Sequence, residues 1–557
     1  MLKVYKPPLY DYVPSPDQSA GARAHYPVVV VGAGPVGLAA AIDLARHGTR
    51  SVLLDEDCTV SVGSRAVCYA KRTLDILDRI GCGEPVAARG VPWNHGKIFF
   101  RDKQIYGFNL LGEEGHRRPA FVNLQQYYLE EILIDCARDT KLVDLRWKNR
   151  VVALDLHNDA VHLTIETPDG PYALTCDWLV AADGAHSPLR HMMGLETEAT
   201  MHRDHFLVAD VVMKTEFPAE RWFWFDPPFH PDRSVLLHKQ ADHVWRVDFQ
   251  LGRDADPDEE RKPDRIVPRI RALLGDGRDF ELQTVNVYSF ECRRMEQFRH
   301  GRALFAGDCA RQVPPFGSRG ANSGIQDVDN LVWKLKLVLD GKAPVQLLDT
   351  YSEERGFAAD ADIHSSISSG EFITPTSKAS RAFRDATLEL AERHPFARRI
   401  VNSGRLSAPL VLADSSISVP DADSFEGAMV PGAPAADAPI AVSGKAAWLL
   451  AHVGGGFTGI YFAHRRVSES EFEALARLSA DPIPVRVIVV ARPAETAPEV
   501  PNDCLVIEDR TELVARRYDG RPGTFYLIRP DQHVAARWRA LAGPLVRGAV
   551  AHATCND

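Results

Sequence analysis

Residues 307–334 read GDCARQVPPFGSRGANSGIQDVDNLVWK, and this stretch decides the fold. The apolar residues 303–306 before it predict a strand, and the apolar spacing after Gly320 predicts a helix that continues to Leu339. Between them lies a turn rich in glycine and proline, so we expect its backbone to approach a bound molecule closely. The helix start also leaves free N–H groups and a positive dipole end, which favour negative charge.

A second glycine-rich turn lies near the N-terminus, where Gly32-Ala33-Gly34-Pro35-Val36-Gly37 follows the apolar residues 28–31. A short all-apolar run is typical of a strand buried in a parallel sheet. A predicted helix follows the glycines, and Asp55 ends the next apolar run. Its spacing is close to that of the acid that holds ribose hydroxyls in dinucleotide-binding folds. This combination favours dinucleotide binding over a tight turn that is only structural.

The bulk properties exclude several classes of protein. The chain has 557 residues, enough for two or three domains, with 45% hydrophobic and 25% charged residues. Its formal net charge is −10 without a basic cluster, so no nucleic-acid partner is expected. No apolar run approaches the ~20 residues that cross a bilayer, and residues 1–26 lack an apolar core of signal-peptide type. We therefore expect no membrane association and a cytoplasmic location.

The nine cysteines form no C-x-x-C and no metal-like spacing. Free thiols are the simpler interpretation of such scattered cysteines. We accordingly expect no bound metal.

The pattern along the chain divides it into segments of different character. Residues 27–190 and 291–370 are predicted to be two parts of one nucleotide-binding α/β domain, preceded by an arm, 1–26. Residues 191–290 are richer in charge and aromatics and alternate as a half-exposed antiparallel sheet does, so we place an inserted substrate domain there. A partly helical connector, 371–445, leads to alternating strands and helices over 446–557.

A third motif, Asp183-Gly184-Ala185-His186-Ser187 with Arg190, lies between the two glycine-rich turns. In this order the motifs resemble those of the single-component FAD-dependent aromatic hydroxylases, the family with the p-hydroxybenzoate hydroxylase fold. The resemblance is strong over about two thirds of the chain, and the C-terminal part more weakly resembles the thioredoxin-like domain of that family. It implies an α/β protein with a Rossmann-like FAD-binding domain, an inserted antiparallel β-sheet substrate domain and a C-terminal thioredoxin-like α/β domain. Without C-x-x-C, the last domain is expected to be structural or to stabilise a homodimer.

The resemblance also implies which residues hold FAD. Arg65 would reach the pyrophosphate and Gln126 the ribityl chain, with Asp308 on a sugar-alcohol hydroxyl and Asp183 on the pyrophosphate side. A solvated loop position for Arg65 and an ordinary polar helix position for Gln126 remain open alternatives. Asn123 is expected to cap the helix that carries Gln126. The full expected FAD-binding set is Gly32, Ala33, Gly34, Pro35, Gly37, Asp55, Glu56, Arg65, Gln126, Val151, Asp183, Asp308, Gly320, Ala321 and Asn322.

The most informative strand of the substrate domain covers residues 244–250, where alternation puts Arg246, Asp248 and Gln250 on one face. In related phenol hydroxylases, a Tyr that points at the bound phenol stands at the position of Asp248. A partly desolvated Asp248 would have a raised pKa suited to taking the phenol proton, and a solvated face is the alternative interpretation. The other catalytic candidates are His238, Tyr288 and Pro315.

Residues 307–334 depart from the usual sequence of the family motif at several positions. Cys309 replaces Ala, Arg311 replaces His, and Ser318-Arg319 replaces Gly-Gln. The backbone path is expected to survive these changes, with Pro315 near the reactive edge of the flavin. Arg319 adds a cation near the cofactor that could alter the preferred substrate charge.

The implied reaction is an oxygenation. Only one dinucleotide-binding motif occurs, so NADH or NADPH is expected to bind transiently. The resemblance implies hydroxylation of a small phenol with O2 through a flavin C4a-hydroperoxide. The amino-acid sequence of residues 221–251 resembles that of enzymes that hydroxylate carboxylated phenols such as 3-(3-hydroxyphenyl)propionate.

Three alternatives stay open at this point. One is the hydroxylation or epoxidation of a polycyclic aromatic natural product. A flavin-dependent halogenase is less favoured, because the Trp-x-Trp-x-Ile-Pro motif of that group is missing. A non-catalytic flavin-binding interaction protein is an alternative of another class.

Overall fold

The computed structural model describes residues 5–19, 23–63, 65–215, 217–275, 278–314, 317–403, 406, 409–491 and 498–557. The side chains of residues 198–204 and 289–290 are not described. Pro315, one of the catalytic candidates, lies outside the described residues.

Strands and helices alternate through the first part of the chain and again through the last. The strands are β1 (Ala24–Val31), β2 (Ser51–Leu54), β3 (Cys68–Ala70), β4 (Val91–Trp93), β5 (His95–Phe100), β6 (Lys103–Asn109), β7 (Phe121–Asn123), β8 (Val143–Arg146), β9 (Arg150–Leu156), β10 (Val161–Glu166), β11 (Tyr172–Ala181), β12 (Glu198–Val212), β13 (Arg221–Phe225), β14 (Ser234–Lys239), β15 (Val244–Gln250), β16 (Glu281–Arg294), β17 (Arg299–His300), β18 (Ala303–Phe305), β19 (Arg311–Gln312), β20 (Pro439–Val442), β21 (Lys445–Trp448), β22 (Phe457–Phe462), β23 (Val485–Ala491), β24 (Leu505–Glu508), β25 (Phe525–Ile528) and β26 (Val534–Trp538). The helices are α1 (Pro35–Arg46), α2 (Lys71–Arg79), α3 (Gly83–Arg89), α4 (Gln126–Asp139), α5 (Pro188–Met192), α6 (Pro257–Glu260), α7 (Pro263–Leu274), α8 (Gly320–Leu339), α9 (Asp349–Ile373), α10 (Lys378–Ala391), α11 (Pro395–Asn402), α12 (Glu469–Ala480), α13 (Leu513–Arg517) and α14 (Gly543–Ala553).

The first sheet is parallel at its centre, in the order β18-β11-β1-β2-β8. β1 is buried along its apolar half, as an all-apolar run requires in a sheet covered on both faces. The carboxyl ends of parallel strands meet at one edge of a sheet. Gly32, Asp55, Asp183 and Gly307 follow β1, β2, β11 and β18, so all three motifs reach the same edge, where ligands of open α/β sheets bind.

The second sheet runs β19-β16-β12-β15-β14-β13-β5-β6 and is antiparallel except where β13 pairs with β5. Alternation divides its side chains between two faces. Trp245, Val247 and Phe249 of β15 pack with Ile266 and Ile270 of α7 in an apolar core. The opposite face, which carries Asp248, is turned toward the parallel sheet and lines the space between the two.

The C-terminal sheet has the order β21-β20-β24-β23-β22-β25-β26, with β22, β23 and β24 parallel. It begins at Pro439, earlier than the predicted 446, because β20 and β21 form a hairpin on its edge. The predicted connector contains α10 and α11, which pack on the substrate-domain sheet through Leu388, Ala397 and Val401.

One predicted helix cap is wrong. Asn123 ends β7, and α4 begins only at Gln126, with Gln125 at the cap position. The Asn123 side chain instead bonds to Trp93, Lys239 and His238. Capping is a local contact. Here the Asn123 side-chain amide instead forms hydrogen bonds with residues that are distant in the chain.

Helix α8 carries a buried charged face that ties the domains together. Asp329 accepts hydrogen bonds from Arg72 (2.8 Å) and Arg79 (2.7 Å) of α2. Lys334 donates to Glu354 of α9 at 2.7 Å, and Arg529 of the C-terminal domain binds the same carboxylate. All three of these last side chains are fully buried. Burial opposes the charge of Glu354, yet Arg529 and Lys334 lower its pKa below the usual value.

No helix in the described part of the chain is long and apolar enough to span a membrane.

We predict that Glu354→Gln destabilises the protein severely. It removes the negative charge between two buried cations, and breaking a buried pair in this way costs about 3–5 kcal/mol. Glu473→Gln is the matched control, because Glu473 pairs with Arg477 on the surface, where such pairs contribute roughly 0–1 kcal/mol. Thermal and urea unfolding of both variants measure the difference. Equal losses in the two variants would contradict a structural role for the buried face.

Candidate flavin and substrate site

A cavity of about 1510 Å³ lies between the parallel sheet, the substrate-domain sheet and the start of α8. Pockets for one drug-sized molecule usually measure about 300–1,000 Å³, so this cavity has room for a large cofactor and a second molecule. Its wall contains every residue of the expected FAD-binding set except Gly37, together with Asp248, His238 and Tyr288. Residues far apart in the chain are thus brought to one space.

Gly37 lies behind the cavity wall and fixes the first turn. A Cβ on Gly37 would lie 1.9 Å from the carbonyl oxygen of Gly32, and a Cβ on Gly32 would lie 2.3 Å from that of Ala182. Gly32 also has a φ of +103°, which side chains rarely adopt. In contrast, a Cβ on Gly34 would meet no protein atom within 4 Å. The turn therefore presents an open backbone floor at Gly34, at the N-terminus of α1, where a pyrophosphate fits.

Asp55 and Glu56 end β2 at the same edge. The Asp55 carboxylate accepts the N–H of Ala33 at 2.5 Å and that of Asp57 at 2.8 Å, which joins the first two strand ends. Burial raises the pKa of Asp55 above its usual value, and these backbone donors oppose the rise. The position suits a ribose, and Glu56 lines the cavity beside it.

Gln126 and Glu130 form a bonded pair one turn apart on α4. Gln126 Nε2 donates to Glu130 at 2.8 Å, and Gln126 Oε1 accepts the N–H of Ala66 at 3.2 Å. Glu130 also accepts the N–H of Ser61 at 2.5 Å. The pair therefore holds the loop before β3, which carries Arg65 on the cavity wall. Gln126 and Glu130 match a Gln-x-x-x-Glu pair of the resembled family, but the expected FAD-binding set included only Gln126.

Asp183 holds the start of helix α5, whose N-cap residue is Ser187, and it also lines the cavity. Its carboxylate accepts from Ser187 at 2.8 Å and from the N–H of Leu189 at 3.0 Å. Arg190 donates to the carbonyl oxygens of Cys309 (2.8 Å) and Ala185 (3.2 Å), so it ties the Asp183 motif to the turn after Gly307.

The start of α8 is clamped to the neighbouring small sheet. Asn322 Oδ1 accepts the N–H of Ala70 at 2.8 Å, and its Nδ2 donates to the carbonyl oxygen of Cys68 at 2.8 Å. Asp308 is open to the cavity but deep in the protein, and this enclosure raises its pKa. Gly320 and Ala321 begin the helix on the cavity wall. The arrangement offers an anion-stabilising helix end beside a carboxyl that can bind a hydroxyl.

The charge of Arg319 is compensated within the protein. Its Nε lies 3.2 Å from Asp362 Oδ1. The cation that the sequence predicts near the cofactor therefore has a counter-ion from α9.

The substrate half of the cavity is built from cross-strand rows. Asp248 on β15 lies opposite Leu236 on β14 and Val208 on β12. The next row on the same face contains Arg221, His238 and Arg246.

Asp248 is poised differently from an ordinary surface carboxylate. Burial raises its pKa to about 6, although Arg246 and Arg221 oppose the rise. Its Oδ1 is buried and has no hydrogen-bond partner among the described residues. An unsatisfied buried carboxylate oxygen on a cavity wall is suited to a proton-bearing ligand.

Tyr288 and Arg221 complete this wall. Burial raises the pKa of Tyr288, so the Tyr288 hydroxyl keeps its proton at neutral pH. Arg221 was not among the expected site residues. Alternation along β13 was a signal for it, since Arg221 and the cavity-lining Phe223 share a face.

Comparison with known proteins agrees with this arrangement. Residues 25–365 match the family described as FAD binding domain. The 3-(3-hydroxy-phenyl)propionate/3-hydroxycinnamic acid hydroxylase of Mycolicibacterium smegmatis is 28% identical over 382 residues, covering 67% of this chain and 66% of that protein. The para-nitrophenol 4-monooxygenase of a Pseudomonas species is 30% identical over 342 residues, 59% of this chain and 82% of that protein. The flavin-dependent monooxygenase PieE, solved with FAD and substrate, superposes with a TM-score of 0.79 at 19% identity, covering 96% of this chain and all of PieE.

The chain therefore belongs to this FAD-binding family, and its cofactor is FAD, as predicted. The likeness to PieE confirms the predicted fold class. The glycine floor, the acid after β2 and the helix end at Gly320 all fit the cofactor, while the individual roles of the FAD-binding residues stay predictions.

We predict that Gly37→Ala and Gly34→Ala both weaken FAD binding, but for different physical reasons. Gly37→Ala forces backbone atoms apart, so it lowers both the melting temperature and the FAD content. Gly34→Ala meets no protein atom, so the FAD-free protein keeps its melting temperature while FAD binds at least about tenfold more weakly, because the backbone can no longer approach the pyrophosphate. Flavin fluorescence titration and thermal unfolding measure the two effects. Gly548→Ala, which also meets no atom and is remote in α14, is the control for both.

Proposed function

We propose that the chain is an FAD-dependent monooxygenase that uses NADH or NADPH and O2 to hydroxylate a phenolic ring. The observation that carries this proposal is Asp248, a half-buried carboxylate with a buried Oδ1 and a pKa of about 6, on the wall of a cavity large enough for FAD and a substrate. The relatives named as a 3-(3-hydroxy-phenyl)propionate hydroxylase and a para-nitrophenol monooxygenase support the same chemistry.

The protein contributes orientation, a water-poor space and a proton acceptor. FAD, held at the Gly34 turn, Asp55 and the helix end at Gly320, would supply hydride acceptance from NADH or NADPH and the activation of O2. Asp248 accepts the proton of the phenol hydroxyl, which makes the ring electron-rich at the carbons ortho and para to that oxygen. Val208, Phe223 and Leu236 surround this carboxylate with apolar surface and limit water around the ring.

Arg221 supports a substrate that carries a carboxylate. It lines the cavity and makes a contact of 4.0 Å with the Cys68 Sγ, and no carboxylate of the described chain pairs with it. A guanidinium without a counter-ion in a partly buried wall favours an anionic ligand, and Arg binds carboxylates through paired N–H groups. A phenol with a short carboxylated side chain, such as 3-(3-hydroxyphenyl)propionate, would satisfy both Arg221 and Asp248.

A second candidate is the oxygenation of a polycyclic aromatic compound. The cavity continues past the substrate-domain sheet to residues of α9, α11 and the following loop, namely Ile373, Asn402, Leu406 and Pro409. This extension would accommodate rings beyond the first. Homodimer formation and a cytoplasmic location remain predictions of the same proposal.

A panel of phenols tests the proposal and the role of Arg221. The purified FAD-loaded protein is expected to consume NADH or NADPH faster with 3-(3-hydroxyphenyl)propionate than with 3-propylphenol, and the product should be one oxygen heavier by mass spectrometry. Arg221→Gln should raise the KM for the carboxylated phenol about tenfold or more and leave that for 3-propylphenol nearly unchanged.

Each other outcome of the panel has a definite meaning. Preference for a polycyclic phenol would support the second candidate. Bound flavin that NADH and NADPH fail to reduce with any phenol would overturn the enzymatic proposal and favour a non-catalytic flavin protein.

We predict that Asp248→Asn removes the acid limb of the pH profile. Asp248 is charged above a pH of about 6 and protonated below it, so kcat/KM of the native protein should fall as the pH decreases through about 6. The Asn variant cannot accept the proton, and product formation should fall about 100-fold or more, leaving a flat profile in that range. The exposed Asp254→Asn is the matched control. A variant that keeps the native acid limb would exclude Asp248 as the base.

A further inference from the structure

His238 is held by a chain of side-chain contacts that begins in the small sheet of β3, β7 and β4. Trp93 Nε1 lies 2.7 Å from Asn123 Oδ1. Asn123 Nδ2 lies 2.8 Å from the carbonyl oxygen of Lys239 and 3.2 Å from His238 Nδ1. All three side chains, Trp93, Asn123 and His238, are buried.

The orientation of the Asn123 amide follows from its partners. The Trp93 indole N–H can only donate, and the Lys239 carbonyl can only accept. If the Asn123 amide were reversed, its NH2 group would face the Trp93 N–H, and its oxygen would face the Lys239 carbonyl oxygen. The NH2 group of Asn123 therefore faces His238, and His238 Nδ1 must accept its hydrogen bond.

A second donor faces the same ring nitrogen. The Cys68 Sγ lies 3.6 Å from His238 Nδ1. Burial raises the pKa of the Cys68 thiol, so it keeps its proton and can donate weakly. An N–H on Nδ1 would face the NH2 group of Asn123, and the weakly accepting Cys68 sulfur would be its sole printed alternative partner among the described residues.

The surroundings also keep the ring neutral. Burial, together with Arg221 and Arg246, lowers the pKa of His238 well below its usual value. The groups that face the ring are Asn123 and Cys68 from the small sheet and these two arginines from the neighbouring strands, and no carboxylate is in contact with it among the described residues. A neutral imidazole whose Nδ1 accepts carries its proton on Nε2.

We propose that Asn123 is a positioning residue that locks His238 as the Nε2–H tautomer, so that His238 donates a hydrogen bond to a second acceptor oxygen of the substrate. Arg221 lies directly opposite His238 in the sheet register and would bind the same oxygen-bearing group. Asp248 then accepts the phenol proton, and His238 is a donor and not a second base. The tautomer is independent of the reaction, while the role toward substrate rests on the proposed function.

The tautomer is tested without any phenol. FAD-loaded protein with 15N-labelled histidine should show one His238 spin system, identified by its loss in His238→Gln, with Nε2 protonated and Nδ1 bare at neutral pH. Asn123→Asp places a carboxylate oxygen against Nδ1 and should move a proton there. Trp93→Phe, a milder change, should leave the amide free to turn and give a mixture of tautomers. A protonated Nδ1 in the unaltered protein would overturn the proposal.

The donor role is tested with a matched pair of variants. Gln can place an N–H near the position of Nε2 but cannot act as a base. Leu can neither donate a hydrogen bond nor act as a base. His238→Leu should weaken binding of 3-(3-hydroxyphenyl)propionate about tenfold and hardly affect 3-propylphenol, and His238→Gln should recover most of that loss. Titration of the FAD absorbance measures both dissociation constants, and kcat is recorded alongside.

The outcomes separate this inference from the proposed function. If kcat collapses equally in the Gln and Leu variants while affinity is kept, His238 is a base and the inference fails. If His238→Leu weakens binding of 3-propylphenol as much as binding of the carboxylated phenol, His238 does not donate to a second oxygen of the substrate. If no phenol is oxidised but the Nε2–H tautomer is observed, the proposed function fails and the role of Asn123 stands.

Discussion

The buried charged face of α8 constrains the rest of the structure. Asp327 accepts from the N–H of Gly307 at 3.0 Å and pairs with Arg311 and Arg355, so it fixes the turn that precedes the helix. Further along, Asp329, Asn330 and Lys334 join α2, α9 and the C-terminal domain. Buried charges cost desolvation and are tolerated only when each has its partner, so these elements have very few alternative arrangements. The fixed helix in turn places its positive end at the cavity.

The same helix reaches the substrate side through a short path. Asn322, in its first turn, holds the backbone of β3 at Cys68 and Ala70. Cys68 and Asn123 are register partners on adjacent strands, and both face His238 of the substrate domain. The flavin end and the substrate wall are thus positioned by one set of contacts.

Charge is divided across the cavity wall in a way that suits a phenol with a second polar group. Asp248 is a carboxyl whose pKa is raised by burial, while a low pKa keeps His238 neutral and the Arg221 guanidinium lies beside it on the next row of the sheet. Apolar side chains separate these groups from bulk water, which strengthens each of their interactions. An acceptor on one side and donors on the other define the orientation of a bound ring.

The sequence by itself determined the α/β fold class, the glycine turn after β1, the acid at Asp55 and the helix from Gly320 to Leu339, because each depends on local spacing and backbone chemistry. It also placed Asp248 on the polar face of its strand, since alternation is a local rule. Only the tertiary structure decided that Asp362 neutralises Arg319 and that Asn123 leaves its expected cap to orient His238. These partners come from other elements, far along the chain. Hydrogen bonds between such distant residues follow from packing, which no local pattern encodes.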